Sequence, residues 1–366
     1  MLVATDVTRY LEFKLVDGSY VARKDGSVHK VPATESEAIK TSLVAFLQKK
    51  YLHSFLKFIA GYDAKNPATW KVSNGVGYDT LDLQKTTMKG LFDKMWFDAE
   101  TADFVGHAMA LAPDDSYLQR PAAESVAAIR LYAESLDRYG KSPFLYPCYG
   151  LGGVPEGFSR LCAIHGGTFI LNKPVDEVLL NADGTAAGVR SGSGADAEVA
   201  LAPTIIGDPS YFPAGMVRRT GRVIRSICII NHPVRGLESP DSAQIIVPQS
   251  QLGRKNDVYV SIVGHAHQVT SKGKYAAIVS TVCETADPAS EVKFGVGLLG
   301  ELLTKFDNIS ETFEPVDDGS KSRVFISKSY DASSHFEAAT DEVLELYFKI
   351  TGERFDLSAK AEVETQ

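Results

Sequence analysis

The chain contains 366 residues, of which 44% are hydrophobic, so it is long enough for two domains or for one large discontinuous domain with a packed core. Its formal net charge of -8 argues against a general affinity for nucleic acid or anionic lipid, because either partner requires a positive surface. The four cysteines form no C-x-x-C pair and lie in apolar contexts, which predicts reduced core thiols and a cytosolic compartment.

The first 33 residues predict strands. Apolar side chains alternate between Tyr10 and Val31, and the pairs Asp17-Gly18 and Asp25-Gly26 that interrupt them are hairpin signals. Pro32 ends this segment.

Residues 34–137 predict an all-helical block. Thr34 and Glu37 match a capping box, and apolar residues follow at helical intervals, which predicts a helix, continuous or broken once, to about Ile59. The turn-rich residues 66–82 indicate a loop. Further helices are predicted at residues 86–92, 99–111 and 122–136.

A glycine-rich stretch at residues 146–172 is the most informative part of the chain. It opens as an ordered turn, continues as a short helix from Pro155, and reaches the pair Gly166-Gly167, where the helix is expected to end. The β-branched and apolar residues 168–171 then predict a strand. This arrangement would leave Arg160 and Thr168 on neighbouring elements at one exposed corner, which is the candidate working surface.

The remaining chain is dominated by short β segments. Together with the helical block, they predict an α/β (α+β) fold in which an all-helical domain is inserted into a sheet domain. The predicted divisions are residues 1–33 and 138–352 for the sheet domain, 34–137 for the helical domain and 353–366 for a polar tail. The predicted strands are 175–180, 188–189, 198–201, 204–206, 223–230, 243–247, 258–263, 276–283 and 322–329, and the predicted helices are 291–306 and 341–351.

Two local patterns could indicate a ligand, but their contexts do not favour one. Residues 295–300 match the G-x-G-x-x-G dinucleotide fingerprint, yet polar residues precede them where that motif requires a buried strand, so we interpret them as helix glycines that permit close packing. His265 and His267 could share one face and hold a metal, but no third ligand lies nearby in sequence. We therefore expect no metal site, no cofactor and no catalytic residues.

Six ordered motifs give the chain a family resemblance. They are TDVTRYLEFK at 5–14, RYGKSPFLYP at 138–147, YGLG at 149–152, LNKP at 171–174, DPSY at 208–211, and SYD at 329–331 followed by HFE at 335–337. Over nearly its whole length the chain resembles the Rab GDP-dissociation inhibitors. The resemblance implies a flavoprotein-like sheet domain that binds no flavin and a smaller helical domain.

The resemblance also implies a function without catalysis. Family members bind GDP-bound, geranylgeranylated Rab GTPases, slow GDP release, and extract and recycle the GTPases from membranes in vesicle traffic. The chain is therefore expected to be a cytoplasmic monomer that cycles to membranes through Rab. No signal-peptide pattern or spanning apolar segment is predicted.

Site residues follow from the same resemblance. Arg160 and Thr168 match the Rab-binding platform of the family, and Gly153 and Ile170 occupy two further platform positions, where the family usually has glutamate and methionine. Residues 138–149 match the mobile effector loop, whose candidate residues are Arg138, Ser142, Tyr146 and Tyr149. The helical block is expected to take the geranylgeranyl chain, with candidate lining residues Phe46, Phe55, Phe58, Val126, Ile129 and Leu131.

The start of the chain departs from the family pattern. It begins at a point where family members are already inside the sheet domain, which predicts that the first βαβ unit is missing and that unpaired edges lower solubility. Two other functions remain open: a Rab escort protein that presents Rabs for geranylgeranylation, and a flavin-dependent oxidoreductase of the same fold.

Overall fold

The structure is a computed structural model that describes residues 1–34, 37, 40–74, 77–238, 241–334 and 336–357. The chain divides into two compact units. The first unit comprises Met1–Glu12, Leu151–Val223 and Ile309–Gln366, and the second comprises Phe13–Gly150 and Ile224–Asn308. These limits do not coincide with the predicted division into residues 1–33, 34–137, 138–352 and 353–366, which stays a prediction.

Helices and strands are both found along the chain, which agrees with the predicted α/β (α+β) class. In the described residues the α-helices are α1 (Phe46–Gly61), α2 (Met88–Met95), α3 (Ala99–Asp103), α4 (Ala122–Tyr139), α5 (Gly153–Ile164), α6 (Gln249–Leu252), α7 (Pro288–Glu291), α8 (Lys293–Leu298) and α9 (Glu337–Thr351). The strands are β1 (Phe13–Leu15), β2 (Ser19–Ala22), β3 (Val28–Lys30), β4 (Lys71–Ser73), β5 (Tyr78–Thr80), β6 (Leu145–Pro147), β7 (Glu177–Leu180), β8 (Ala186–Ser191), β9 (Glu198–Leu201), β10 (Ile205–Gly207), β11 (Val217–Ile230), β12 (Ser242–Val247), β13 (Val258–Gly264), β14 (Tyr275–Val282), β15 (Thr304–Pro315) and β16 (Val324–Ile326).

The largest sheet has seven strands in the order β15-β11-β14-β13-β12-β2-β3. Strands β12, β13 and β14 are antiparallel neighbours, and their register aligns Ile245, Val260 and Val279, which are all buried. Strand β2 joins β12 in parallel. Helix α8 packs closely on this sheet, because a Cβ atom on Gly295 would lie 2.6 Å from Val279 Cγ1. The interpretation of that glycine as a packing glycine is confirmed.

The helical part of the second unit is held by an apolar core of α1, α2, α4 and the residues around them. Thr87 and Asp98 begin α2 and α3 by accepting hydrogen bonds from Gly90 N at 3.1 Å and from Thr101 N at 2.8 Å. Gly140, with φ of 89°, ends α4. None of the helices in the described residues has the length and apolar composition needed to cross a membrane.

The first unit contains a smaller antiparallel sheet of β7, β8 and β9 and the parallel pair β10 and β16. Its core is formed by Ala186, Ile205, Phe212, Val217, Val324 and Ile326. Gly188 in β8 has φ of 158°, and a Cβ atom there would lie 2.3 Å from Ala200 O, so this position requires glycine.

The predicted helix at residues 291–306 is wrong beyond Leu298. Gly300 takes a left-handed conformation, with φ of 80°, which ends the helical segment. Leu303 N then donates to Ile229 O at 2.8 Å, and β15 begins at the following residue. No strand was predicted at the position of β15, although this strand contains 12 residues.

The structure also corrects the amino-terminal predictions. Strands β2 and β3 form the predicted hairpin, but β1 pairs with β6 and not with β2. Glu37 N donates to Thr34 Oγ1 at 3.2 Å and Glu37 Oε2 accepts from Ala33 N at 2.8 Å, as a capping box requires. Glu37 and Lys40 are helical and Thr41 N donates to Glu37 O at 2.8 Å, but the helix is interrupted before α1 begins at Phe46, so the predicted helix is broken once. Residues 35, 36, 38 and 39 lie outside the described residues. The predicted loop at 66–82 contains the hairpin of β4 and β5.

Candidate functional site

The predicted working surface is built on α5, in the first unit. Gly153 is the first residue of this helix and Arg160 follows seven positions later, so both lie on the same face. Pro155 and Glu156 lie in the first turn, where proline and an acidic side chain favour helix formation. The Arg160 guanidinium lies 4.8 Å from the centroid of the Tyr10 ring, and Arg160 is exposed.

The amino-terminal residues pack tightly against α5. A Cβ atom on Gly157 would lie 3.0 Å from Leu11 Cδ2, so glycine is needed for this close approach. Tyr10 was not singled out from the sequence, although it belongs to the first family motif. Its contact with Arg160 makes it part of the candidate surface.

A tight turn follows α5. Gly166 has φ of 88°, and Gly167 N donates to Cys162 O at 3.0 Å, while a Cβ atom on Gly167 would lie 2.4 Å from Cys162 Sγ. Both glycines are therefore required by the turn that leads from the helix to Thr168.

The predicted strand at residues 168–171 is wrong. These residues are irregular and exposed, with relative exposures of 51% for Phe169, 70% for Ile170 and 82% for Leu171. Their β-branched and apolar side chains fit a strand, but within the described chain no strand pairs with them. We use the name α5 corner for the candidate surface residues on and beside this helix, which are Tyr10, Gly153, Arg160, Thr168 and Ile170.

The α5 corner combines one exposed guanidinium with a run of exposed apolar side chains. Exposed apolar groups next to a charged arginine are typical of surfaces that bind another protein, because burial of the apolar area drives association and the arginine contributes specificity. Among the described residues, the corner presents no pair of titratable groups in hydrogen-bond contact that would suit acid-base catalysis.

Residues 138–149, the predicted effector loop, lie in the second unit. Arg138 is exposed in the last turn of α4, whereas Ser142 is buried and its hydroxyl donates to Val16 O. Tyr146 is part of β6, opposite Lys14 of β1. The segment is therefore tied to β1 in this structure, and its mobility stays a prediction.

The end of this segment rests on His267. Tyr149 takes a left-handed conformation, with φ of 67°, and its N–H donates to His267 O at 2.9 Å. The Tyr146 ring meets the His267 ring edge to face, with centroids 5.8 Å apart. Burial lowers the pKa of His267 and raises the pKa of Tyr146, so both side chains are neutral near pH 7. His265, the other member of the candidate metal pair, is exposed and bonds Thr270 O.

The six candidate lipid-lining residues fall into two groups. Phe55, Phe58, Val126 and Ile129 are buried in the core of the helical block. Phe46 and Leu131 are exposed on α1 and α4. Only the buried group therefore shares one apolar environment, and a lipid chain could enter it only if the helices move apart.

An arginine that the sequence reasoning missed joins α1 to α4. Arg130 of α4 donates through Nε to Ile59 O at 2.6 Å, and through Nη2 to Ala60 O at 3.2 Å and to Tyr62 O at 2.5 Å. These carbonyls lie at the carboxyl end of α1, where a cation also interacts favourably with the helix dipole. Arg130 thus fixes this end of α1 against α4.

A buried charged cluster was also missed. His107 Nδ1 lies 2.8 Å from Asp257 Oδ2, and His107 Nε2 lies 3.6 Å from Asp103 and 3.4 Å from Asp115. Burial disfavours the imidazolium, but the hydrogen bond and charge of Asp257 and the two other carboxylates outweigh it and raise the pKa of His107 to about 9. The spacing of Asp103 and His107 on one helical face was the available sequence signal, whereas Asp257 lies 150 residues away.

The prediction of four core cysteines is wrong for Cys162. This side chain is exposed on α5, while Cys228 is buried and Cys148 and Cys283 are half-buried. Burial raises the pKa of the Cys228 thiol to about 11, so this thiol stays protonated at neutral pH.

The chain is similar to known proteins over nearly its whole length. The model of the family described as GDP dissociation inhibitor matches residues 1–362. The chain is 48% identical over 367 residues to the Rab GDP-dissociation inhibitor of Saccharomyces cerevisiae, a match that covers 100% of this chain and 78% of that protein. It is 46% identical over 366 residues to the probable secretory pathway GDP dissociation inhibitor 1 of Schizosaccharomyces pombe, covering 100% of this chain and 80% of that protein. A crystal structure of a Rab GDI from Plasmodium falciparum is 39% identical, has a TM-score of 0.87, and is matched over 97% of this chain and 80% of that one.

Proposed function

This chain belongs to the GDP dissociation inhibitor family, and we propose that it binds Rab GTPases in their GDP-bound, geranylgeranylated form, slows GDP release and extracts them from membranes for vesicle traffic. The relatives are named as inhibitors, which regulate a GTPase and catalyse no reaction. On the same basis we propose that the chain acts as a monomer in the cytoplasm and reaches membranes through its Rab cargo.

The observation that carries this proposal is the α5 corner. Arg160 holds an exposed cation above Tyr10, and the segment that follows α5 exposes the apolar side chains of Phe169, Ile170 and Leu171. An exposed guanidinium can form bidentate hydrogen bonds to carboxylates of a folded partner, and exposed apolar side chains gain from losing water on binding. We assign the corner to the folded GTPase.

The helical block would take the lipid. A geranylgeranyl chain has about twenty carbons, and at roughly 0.8 kcal/mol per CH₂ it is held in a bilayer by on the order of 10 to 15 kcal/mol. A carrier must offset this with an apolar pocket, and the buried residues Phe55, Phe58, Val126 and Ile129 supply one if α1 and α4 separate. Because two linked weak sites can together match one strong anchor, the corner and the helices would act as a pair.

The test is a substitution of Arg160. With the full chain and a geranylgeranylated Rab in its GDP form on liposomes, we expect Arg160→Ala to weaken both binding and extraction by about tenfold or more, as arginine hot spots do. Arg190→Ala is the matched control, because Arg190 is also an arginine of the first unit and pairs only locally with Glu177. Equal effects of the two variants, or a preference for the GTP form, would contradict the proposal.

The two departures from the family offer a second test. Gly153 lies in the first turn of α5, where an acidic side chain favours the helix dipole, so Gly153→Glu is expected to fold and to place a carboxylate on the same face as Arg160. We expect it to change which Rabs are bound most tightly. Identical Rab preferences before and after the substitution would exclude Gly153 from the partner surface.

A further inference from the structure

The outward face of α1 carries a line of basic side chains. Phe46, Lys50, His53 and Lys57 are all exposed and lie four, three and four positions apart, which places them along one face of the helix. The opposite face, with Phe55, Phe58 and Ile59, is buried in the core. Helix α1 is therefore amphipathic, and its solvent face is basic.

The charge of this face opposes the charge of the whole chain. Helix α1 contains three lysines and no aspartate or glutamate, whereas the chain has a formal net charge of -8. Lys50 and Lys57 belong to none of the ion pairs that the described residues form. Their charges are thus available to an anionic partner.

The amino-terminal end of the same face is apolar. Phe46 is 86% exposed and Leu47 is 75% exposed. Trp96, also exposed, stands beside them, because its ring packs on Tyr51 with centroids 5.9 Å apart and its carbonyl accepts from Gln48 Nε2 at 3.2 Å. Three large apolar groups next to a row of lysines form a surface with an apolar tip and a cationic side.

Two carboxylates close to this tip are engaged elsewhere. Asp98 accepts from Thr101 N at 2.8 Å and so caps α3. Glu100 lies 3.7 Å from the Arg23 guanidinium. In the ion pairs of the described residues neither carboxylate is paired with Lys50 or Lys57, so these carboxylates do not neutralise the two lysines of the basic face.

We propose that the basic face of α1 docks directly on anionic bilayer headgroups, with Phe46, Leu47 and Trp96 at the level of the headgroups and acyl chain ends. Lysines attract anionic lipid, and exposed aromatic and aliphatic side chains at one end of a basic amphipathic helix insert at the interface. This contact goes beyond the proposed function, because it requires neither a Rab nor its lipid. It would bring the helical block to the membrane from which a lipid is taken.

The test uses vesicles without any protein cargo. The full chain is mixed with vesicles of phosphatidylcholine alone and with vesicles of equal parts phosphatidylcholine and phosphatidylserine, and bound protein is measured by flotation at low salt. We expect binding to the anionic vesicles only, and a loss of about 25-fold in Lys50→Glu/Lys57→Glu, or roughly fivefold for each lysine. Phe46→Ala/Leu47→Ala, which removes exposed side chains and so preserves the fold, is expected to weaken the same binding.

Lys272→Glu/Lys274→Glu is the matched control, since both lysines are exposed in the second unit outside α1 and the net charge changes by the same amount. Equal losses in both double variants would show a net-charge effect and overturn the proposal, as would equal binding to neutral vesicles or no binding to anionic ones. Variant-sensitive binding to polyglutamate without vesicle binding would also overturn it, in favour of an acidic protein. If the chain does not bind anionic vesicles but still extracts Rab, only the proposal about α1 is refuted. The proposed function is tested separately by Arg160→Ala.

Discussion

A rise in pH from 6.5 to 9 is expected to destabilise the second unit through His107. The folded protein raises the pKa of this imidazole from 6.5 to about 9, because Asp257 and two further carboxylates surround the buried ring. A group with a raised pKa stabilises the fold fully below its unfolded value, near pH 6.5, and this contribution is lost as the pH rises through 9. At 1.36 kcal/mol per pKa unit, the loss amounts to about 3 kcal/mol.

Chemical denaturation at several pH values measures this effect. The two tryptophans of the chain, Trp70 and Trp96, both belong to the second unit, so their fluorescence reports the unfolding of that unit. The free energy of unfolding should fall between pH 6.5 and pH 9 in the wild-type protein. It should change far less in His107→Gln, which has no titrating imidazole at this position.

His232→Gln is the control. His232 is exposed and its pKa is raised by hydrogen bonds to the carbonyls of Pro233 and Glu301, so it titrates outside the buried cluster. Burial raises the pKa of Asp257, and the hydrogen bond and charge of His107 counteract this rise. If His107→Gln keeps the wild-type loss of stability between pH 6.5 and 9, the reasoning about this pair is wrong.

Three other substitutions or treatments test packing. Gly106→Ala should destabilise the second unit by roughly 1 to 3 kcal/mol, because the added Cβ would lie 1.8 Å from Tyr117 Oη. Urea denaturation measures this loss of stability, and an unchanged midpoint would contradict the close contact between Gly106 and Tyr117. Arg130→Met should cost about 2 to 3 kcal/mol, since the carbonyls at the end of α1 lose a charged donor, and a smaller loss than for an exposed arginine would contradict the assignment. A thiol reagent should label Cys162 quickly and Cys228 only after unfolding, as mass spectrometry of the labelled peptides can show.

The sequence predicted elements well where one face is buried. Strand β14 lies within one residue of its predicted bounds, and α4 follows its apolar period from Ala122, because burial of one face imposes a clear pattern on such segments. Strand β15 was missed because most of its residues are exposed, which leaves no alternation to detect. The segment at 168–171 failed for the opposite reason: its residues have strand propensity, but pairing is decided by distant parts of the chain.

The candidate site was predictable in part. Arg160 could be placed on a short helix from local signals, although that helix begins at Gly153, in the segment predicted as a turn, and the turn at Gly166 could be predicted from its glycine pair. The contact of Tyr10 with Arg160 joins residues 150 positions apart, and sequence spacing carries no information about it. The same limit hid Arg130 and the pair of His107 with Asp257, whose partners meet only in the folded chain.

The contacts of Arg130 give α1 two unlike ends. Its carboxyl end is fastened by three carbonyl acceptors, whereas Ala45 at its amino end offers no side-chain cap. We expect that, if the helical block opens, α1 rotates about its fastened carboxyl end and its amino end moves furthest. The widest gap would then form beside Phe46, at the end of α1 that we propose to meet the bilayer, and a lipid bound as proposed would enter there.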